Sequence, residues 1–170
     1  MEPIVEFYKY NSFVRKRYLD AMERLPWEEV VKDRGASFGS IRNVFLHVLD
    51  AYRRWFQAII KGIPYERDYT LSSTAENYKS VNDLREFEKE IDSLVMGVIE
   101  TLRDQDLSRI YVVETRDKTG RKYTMESILM HMIEEELQHR GEINCMFWQQ
   151  DIDPPITGYG GRDRPSRPTK

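Results

Sequence analysis

The chain has 170 residues, 40% of them hydrophobic and 32% charged, enough apolar material for one core under a well-solvated surface. Its formal charge of -3, with both signs interspersed, provides no large basic face for a phosphate backbone and argues against nucleic acid as a partner. No stretch approaches the roughly 20 uncharged apolar residues of a membrane span, and MEPIVEFYKY lacks a basic leader followed by an apolar run. The expected location is therefore cytoplasmic, with no membrane partner. The single cysteine, Cys145, excludes an internal disulfide framework and suits a reducing compartment. It projects away from the apolar stripe of its segment and reads as an inert thiol at a surface or subunit contact rather than a nucleophile.

From Pro3 to Leu25 the apolar residues Ile4, Phe7, Tyr8, Val14, Tyr18, Met22 and Leu25 recur at helical spacing, and Pro26 stops the run. Asn11 lies within this stripe and reads as a buried amide bonded to a neighbouring helix. Trp27 to Phe38 contains Gly35 and reads as a connection with room for one helical turn. A second helix is predicted over Ser40 to Ile60, capped by Ser40 and buried through Ile41, Val44, Phe45, Val48, Tyr52, Trp55, Phe56 and Ile59. Gly62 and Pro64 end it.

Residues Ile63 to Lys79 are polar, and a connection of that length suits a crossover between helices running in the same direction. Ser80 caps a third helix reaching about Arg103, whose stripe of Leu84, Phe87, Ile91, Leu94, Val95, Val98 and Leu102 has no polar interruption and reads as scaffold. Arg109 to Tyr123 carries β-branched and aromatic residues on both sides of Asp117-Lys118-Thr119-Gly120, the pattern of a short hairpin. The fold class this predicts is all-α, a four-helix bundle with one long crossover and a small β-hairpin before the last helix. The bundle is expected over residues 1–156, and the Pro/Gly-rich basic stretch 157–170 as an extended or flexible tail.

The fourth helix, Thr124 to Gln150, contains the anomaly. Ile128, Leu129, Met132 and Ile133 form an apolar stripe that resumes at Ile143, Met146 and Phe147, yet the same face carries Glu135, Glu136, His139 and Arg140 in between. Burying such groups costs several kcal/mol unless they are paired or bind something. Glu135 and His139 are four residues apart, so their side chains share a face in the way that paired helical metal ligands do. Among the other two histidines, His47 lies at the edge of the second helix's buried face. Alone it reads as a core histidine, but with Glu135 and His139 it completes two imidazoles and one carboxylate, the donor set of catalytic zinc or non-haem iron. His131 drifts off the line of His139 and reads as a rim residue or hydrogen-bond partner.

Four segments, FYKYNSFVRKRYLDAMERLP, SIRNVFLHVLDAYRRWF, HMIEEELQHRGEI and the closing DIDPP, together resemble the DinB-like (DinB/YfiT) family over nearly the whole chain. The HRG element after an acidic helix is the most specific of these. The resemblance implies a bundle of up-down-down-up order, commonly dimeric, with a divalent metal held by one histidine of the second helix and two side chains of the fourth. Carried onto this sequence, the ligands fall on His47, on position 135 and on His139. Position 135, usually histidine in the family, is Glu135 here, and the glutamine that follows the family's Arg-Gly is Glu142. Relatives in the family include thiol-dependent S-transferases and isomerases.

The resulting expectation is a metal-dependent enzyme of thiol-dependent transferase or hydrolase type, acting on a small substrate. Its ligands are His47, Glu135 and His139, and its cofactor zinc, nickel, manganese or iron. Glu136, or Glu134, would be the base and Arg140 the group that binds a substrate anion or orients a carboxylate; a solvated acidic run and a structural ion pair are the alternatives for these residues. A homodimer is expected, with Phe13 and Trp148 lying off the core stripes. The competing class is a non-catalytic stress-response protein that binds metal or a small ligand, or a dimeric scaffold.

Overall fold

The computed structural model describes residues 1–63, 75–114 and 119–161. The first helix, α1 (Glu2–Met22), starts with a proline in its first turn, where the missing amide hydrogen costs nothing. After Pro26 a short helix α2 (Trp27–Val31) follows. Helix α3 (Ile41–Tyr52) begins where Ser40 Oγ accepts from the Asn43 amide at 3.2 Å. It continues as wider π-helical turns over Arg53–Ile60, with the Lys61 amide donating to the Phe56 carbonyl at 3.1 Å. These turns carry Trp55 and Phe56 into the core before Gly62, at φ 66°, releases the chain.

Helix α4 (Val81–Ile99) is capped by Ser80, as the sequence predicts, and ends four residues short of the expected boundary. Strands β1 (Ile110–Glu114) and β2 (Gly120–Thr124) pair antiparallel from Ile110 opposite Thr124 to Glu114 opposite Gly120. Thr124 then caps α5 (Met125–Trp148), its Oγ1 accepting from the Ser127 amide at 3.1 Å. The middle of the predicted crossover (64–74), the hairpin turn (115–118) and the last part of the basic tail (162–170) lie outside the described residues. Among the described residues no helix is long and apolar enough to cross a membrane.

Side-chain contacts fix the helix directions. Tyr8 donates to the Leu129 carbonyl (3.0 Å), Arg15 to Glu136 (2.9 Å) and Tyr18 to Asn144 (2.6 Å), so α1 and α5 run parallel. His47 meets Glu135 while Trp55 meets His131, so α3 is antiparallel to α5. Arg85 pairs with Asp20 and Asp92 with Arg15, so α4 is antiparallel to α1 and parallel to α3. The order is up-down-down-up. One core joins Tyr8, Leu19 and Met22 of α1, Ile41, Phe45 and Leu49 of α3, Leu84 and Ile91 of α4, and Ile128, Leu129 and Met132 of α5. Burying each such side chain contributes about 1.5–3 kcal/mol.

Beyond α5, Asp151 turns the chain at φ 56°. The following segment returns over α1, where the Thr157 carbonyl accepts from Tyr10 and Tyr159 stacks on Phe7 with ring centroids 5.7 Å apart. The first residues of the stretch expected to be a tail are thus packed on the bundle.

Candidate metal centre

His47 and the pair Glu135 and His139 face one another because antiparallel α3 and α5 pack through the polar gap in the α5 stripe. His47 Nε2 lies 2.9 Å from Glu135 Oε1, and His139 Nε2 lies 3.4 Å from the same oxygen. One ligand atom from each of the three residues falls within 4.8 Å of the others. Two donors sharing an ion through bonds of about 2.0–2.2 Å stand roughly 2.8–3.6 Å apart, so both distances to the carboxylate fit a common ion. Two imidazoles and one carboxylate also suit zinc and the heavier first-row divalent ions chemically. The three side chains are between 11% and 21% exposed, which leaves the centre at the edge of the core and reachable from solvent.

Electrostatics couple the three groups. Hydrogen bonds with His139 and His47 hold the Glu135 carboxyl far below the usual carboxylate range, against the opposing effect of burial. The same bond with Glu135 raises His139, again against burial, and Glu142 adds to the rise. Around them stands a layer that the sequence pattern leaves unassigned. Phe38, from the loop before α3, stacks on His47 at 3.9 Å between centroids and meets His139 edge-on at 5.6 Å. Glu142 Oε2 lies 3.1 Å from His139 Nδ1 and accepts from Ser37 Oγ at 2.8 Å.

Glu136 and Arg140 project one step round the helix, into the bundle interior. Glu136 accepts from Arg15 (2.9 Å), Tyr52 (2.6 Å) and Arg140 (3.0 Å), and Arg140 also donates to Asn11 (2.9 Å). Arg15 bridges onward to Glu88 and Asp92 of α4, both at 3.2 Å. Burial disfavours charge on Arg15, but the surrounding carboxylates, Glu136 foremost, outweigh it and raise its pKa. This is the geometry of a structural ion-pair network. Asn11 is the buried amide bonded to a neighbouring helix that its position predicts. The α4 stripe, read as wholly apolar, in fact includes Glu88, which is buried. Its signal is present in the sequence, since Glu88 lies four residues after Leu84 and three before Ile91. His131 stands apart from the cluster of His47, Glu135 and His139, edge-on to Trp55 at 5.4 Å. Cys145 is a free, exposed thiol.

The arrangement is that of a helical bundle with a histidine–carboxylate–histidine cluster between its second and last long helices. The sequence pattern of the DinB family matches residues 1–166, and the chain belongs to that family. The uncharacterized protein YizA of Bacillus subtilis is 23% identical over 159 residues, covering 94% of this chain and 95% of its own. Protein DinB of the same organism is 23% identical over 160 residues, covering 91% and 90%. A crystal structure of a DinB-like protein from Bacillus cereus superposes with a TM-score of 0.69 at 18% identity, covering 92% of this chain and 96% of that one, which supports the bundle fold.

Proposed function

We propose that the protein binds one divalent metal ion through His47, Glu135 and His139 and uses it in a reaction of the thiol-dependent transferase or hydrolase type. The observation that carries this reading is the convergence of three ligand-type atoms from two separate helices within 4.8 Å at the edge of the core. A divalent ion held there would lower the pKa of a bound water or thiol and make a nucleophile available near neutral pH. Zinc, nickel, manganese and iron all suit the donor set, and Glu135, a harder donor than imidazole, favours manganese and iron(II) more than an all-histidine set would.

The residues divide the work by position. His47, Glu135 and His139 bind and orient, while Phe38 packs against both imidazoles. Glu136 and Arg140 are best placed to hold α1, α3 and α5 in register, because their polar atoms point at one another and at Arg15, Tyr52 and Asn11. The 2.9 Å contact between His47 and Glu135 is also that of a plain hydrogen bond, and it supports the second reading, a non-catalytic ligand-binding protein or scaffold. Exposed Phe13, Met130, Leu137 and Trp148 support a homodimer through α1 and α5.

The deciding experiment is a titration of chelator-treated protein with zinc, manganese and iron(II), followed by thiol-transfer and ester-hydrolysis screens of the loaded forms. Metal-dependent turnover abolished in His139→Ala supports the enzyme. Tight binding without turnover supports the second reading.

A further inference from the structure

The loop between α2 and α3 touches both imidazoles of the cluster, and it does so by two different means. Its backbone is closed on itself: the Arg34 amide donates to the Gly39 carbonyl at 2.7 Å, and the Gly39 amide to the Ala36 carbonyl at 2.9 Å. Gly39 sits at φ 82°, and a Cβ there would meet the Asp33 carboxylate at 3.3 Å, so the closure needs glycine at this point. The closed loop presents two adjacent side chains to the site. Phe38 stacks on His47; Ser37 donates its hydroxyl to Glu142 Oε2, the same oxygen that stands 3.1 Å from His139 Nδ1.

An imidazole has two nitrogens, and the partner of one decides what the other can do. With Nδ1–H donating to Glu142, Nε2 is the nitrogen of His139 left facing Glu135 Oε1, 3.4 Å away, and in the neutral ring its lone pair is the one an ion at that place would take. A carboxylate behind a ligating histidine fixes its ring and tautomer and makes the other nitrogen a better donor. Ser37 holds the accepting oxygen in place from outside the helix, so the ring orientation depends on two separate segments of chain. We propose that Glu142 is a positioning residue for His139, clamped by Ser37, and that this Ser37–Glu142–His139 relay sets the strength of metal binding at the centre. The inference rests on the metal reading above and assigns Glu142 no contact with the ion or with substrate.

The test is a set of zinc titrations near neutral pH against a competing chelator, on wild type, Glu142→Gln, Glu142→Leu, Ser37→Ala and His139→Ala, with circular dichroism confirming the fold of each. Glutamine keeps an acceptor for Nδ1–H, whereas leucine has similar bulk and none. Glu142→Leu should weaken zinc by about 10–100-fold, Glu142→Gln should retain most of the wild-type affinity, and Ser37→Ala should weaken it in the same direction but less. Wild-type affinity in folded Glu142→Leu overturns the proposal, as does an equal loss in glutamine and leucine variants, which would assign the effect to charge alone. Should Glu142→Leu not fold, unchanged affinity in Ser37→Ala overturns it instead. Wild-type protein that takes up no zinc, or His139→Ala that binds as tightly as wild type, sinks the metal reading itself; loss in His139→Ala with none in Glu142→Leu sinks only the relay.

Discussion

Removing the Glu136 carboxylate should destabilise the bundle severely, and the reason lies in what it leaves behind. Arg15 and Arg140 are 3% and 5% exposed, and both donate to Glu136. In Glu136→Ala, Arg15 keeps Glu88 and Asp92 as partners. Arg140 keeps only the Asn11 oxygen and a 3.5 Å contact with the Thr157 carbonyl among its described bonds, and Tyr52 loses its 2.6 Å acceptor. Breaking a buried pair by deleting one partner costs about 3–5 kcal/mol, and at about 2–4 °C per kcal/mol for a domain of this size the melting temperature should fall by roughly 6–20 °C. The assay is reversible urea or thermal unfolding followed by circular dichroism. Arg140→Met in the same background removes the stranded cation, so the double variant should be more stable than Glu136→Ala alone. A loss under about 1 kcal/mol in Glu136→Ala, or simple additivity in the double variant, would show that these charges are solvated and would refute the reasoning.

Three further outcomes can be checked directly. Glu135→His should retain metal and shift relative preference towards zinc and nickel, while Glu135→Ala should weaken every metal in competition titrations; unchanged binding in the alanine variant would remove Glu135 from the ligand set. In metal-free protein the Glu135–His139 pair should stabilise most between about pH 4.5 and 6.5. The folded His139 is raised, so its contribution is full below the ordinary value of 6.5 and is lost as pH rises through the folded one. The folded Glu135 is depressed, so its contribution is full above the ordinary 4.5 and is lost as pH falls through the folded value. The melting-temperature gap between metal-free wild type and His139→Ala should therefore peak in that window, whereas the gain from zinc should grow as pH rises and protons cease to compete. Finally, sedimentation at micromolar concentration should show a dimer that Trp148→Glu weakens, and a wild-type monomer would count against the α1–α5 interface.

The sequence shows the bundle through patterns that local chemistry enforces. Ser40, Ser80 and Thr124 cap their helices as a hydroxyl before an apolar run should, and the stripes of α3 and α5 point to the core. The polar gap at Glu135 to Arg140 is visible because it contradicts a periodic pattern, and His47 is visible because only three histidines exist to complete the set. The i,i+4 spacing pairs Glu135 with His139, but it does not show that Glu136 and Arg140 turn into the core rather than towards the cluster those two form with His47. Glu135 and Glu136 are neighbours in sequence, but a 100° rotation sends one to the histidines and the other to Arg15. Phe38 and Ser37 escape notice because a closed loop has no period. The π-helical turns after Tyr52 leave no signature either, since Tyr52, Trp55 and Phe56 keep the spacing of an ordinary helix.

The claim on which the rest depends is that His47, Glu135 and His139 hold a metal ion. Elemental analysis of tag-free protein, purified without added nickel, tests it most directly when wild type, His47→Ala and His139→Ala are compared side by side. Wild type should carry a near-stoichiometric first-row divalent metal that both variants lose, with helical content unchanged because the apolar stripes supply most of the burial energy. Metal-free wild type that also fails to take up zinc, or variants that keep full loading, would contradict it.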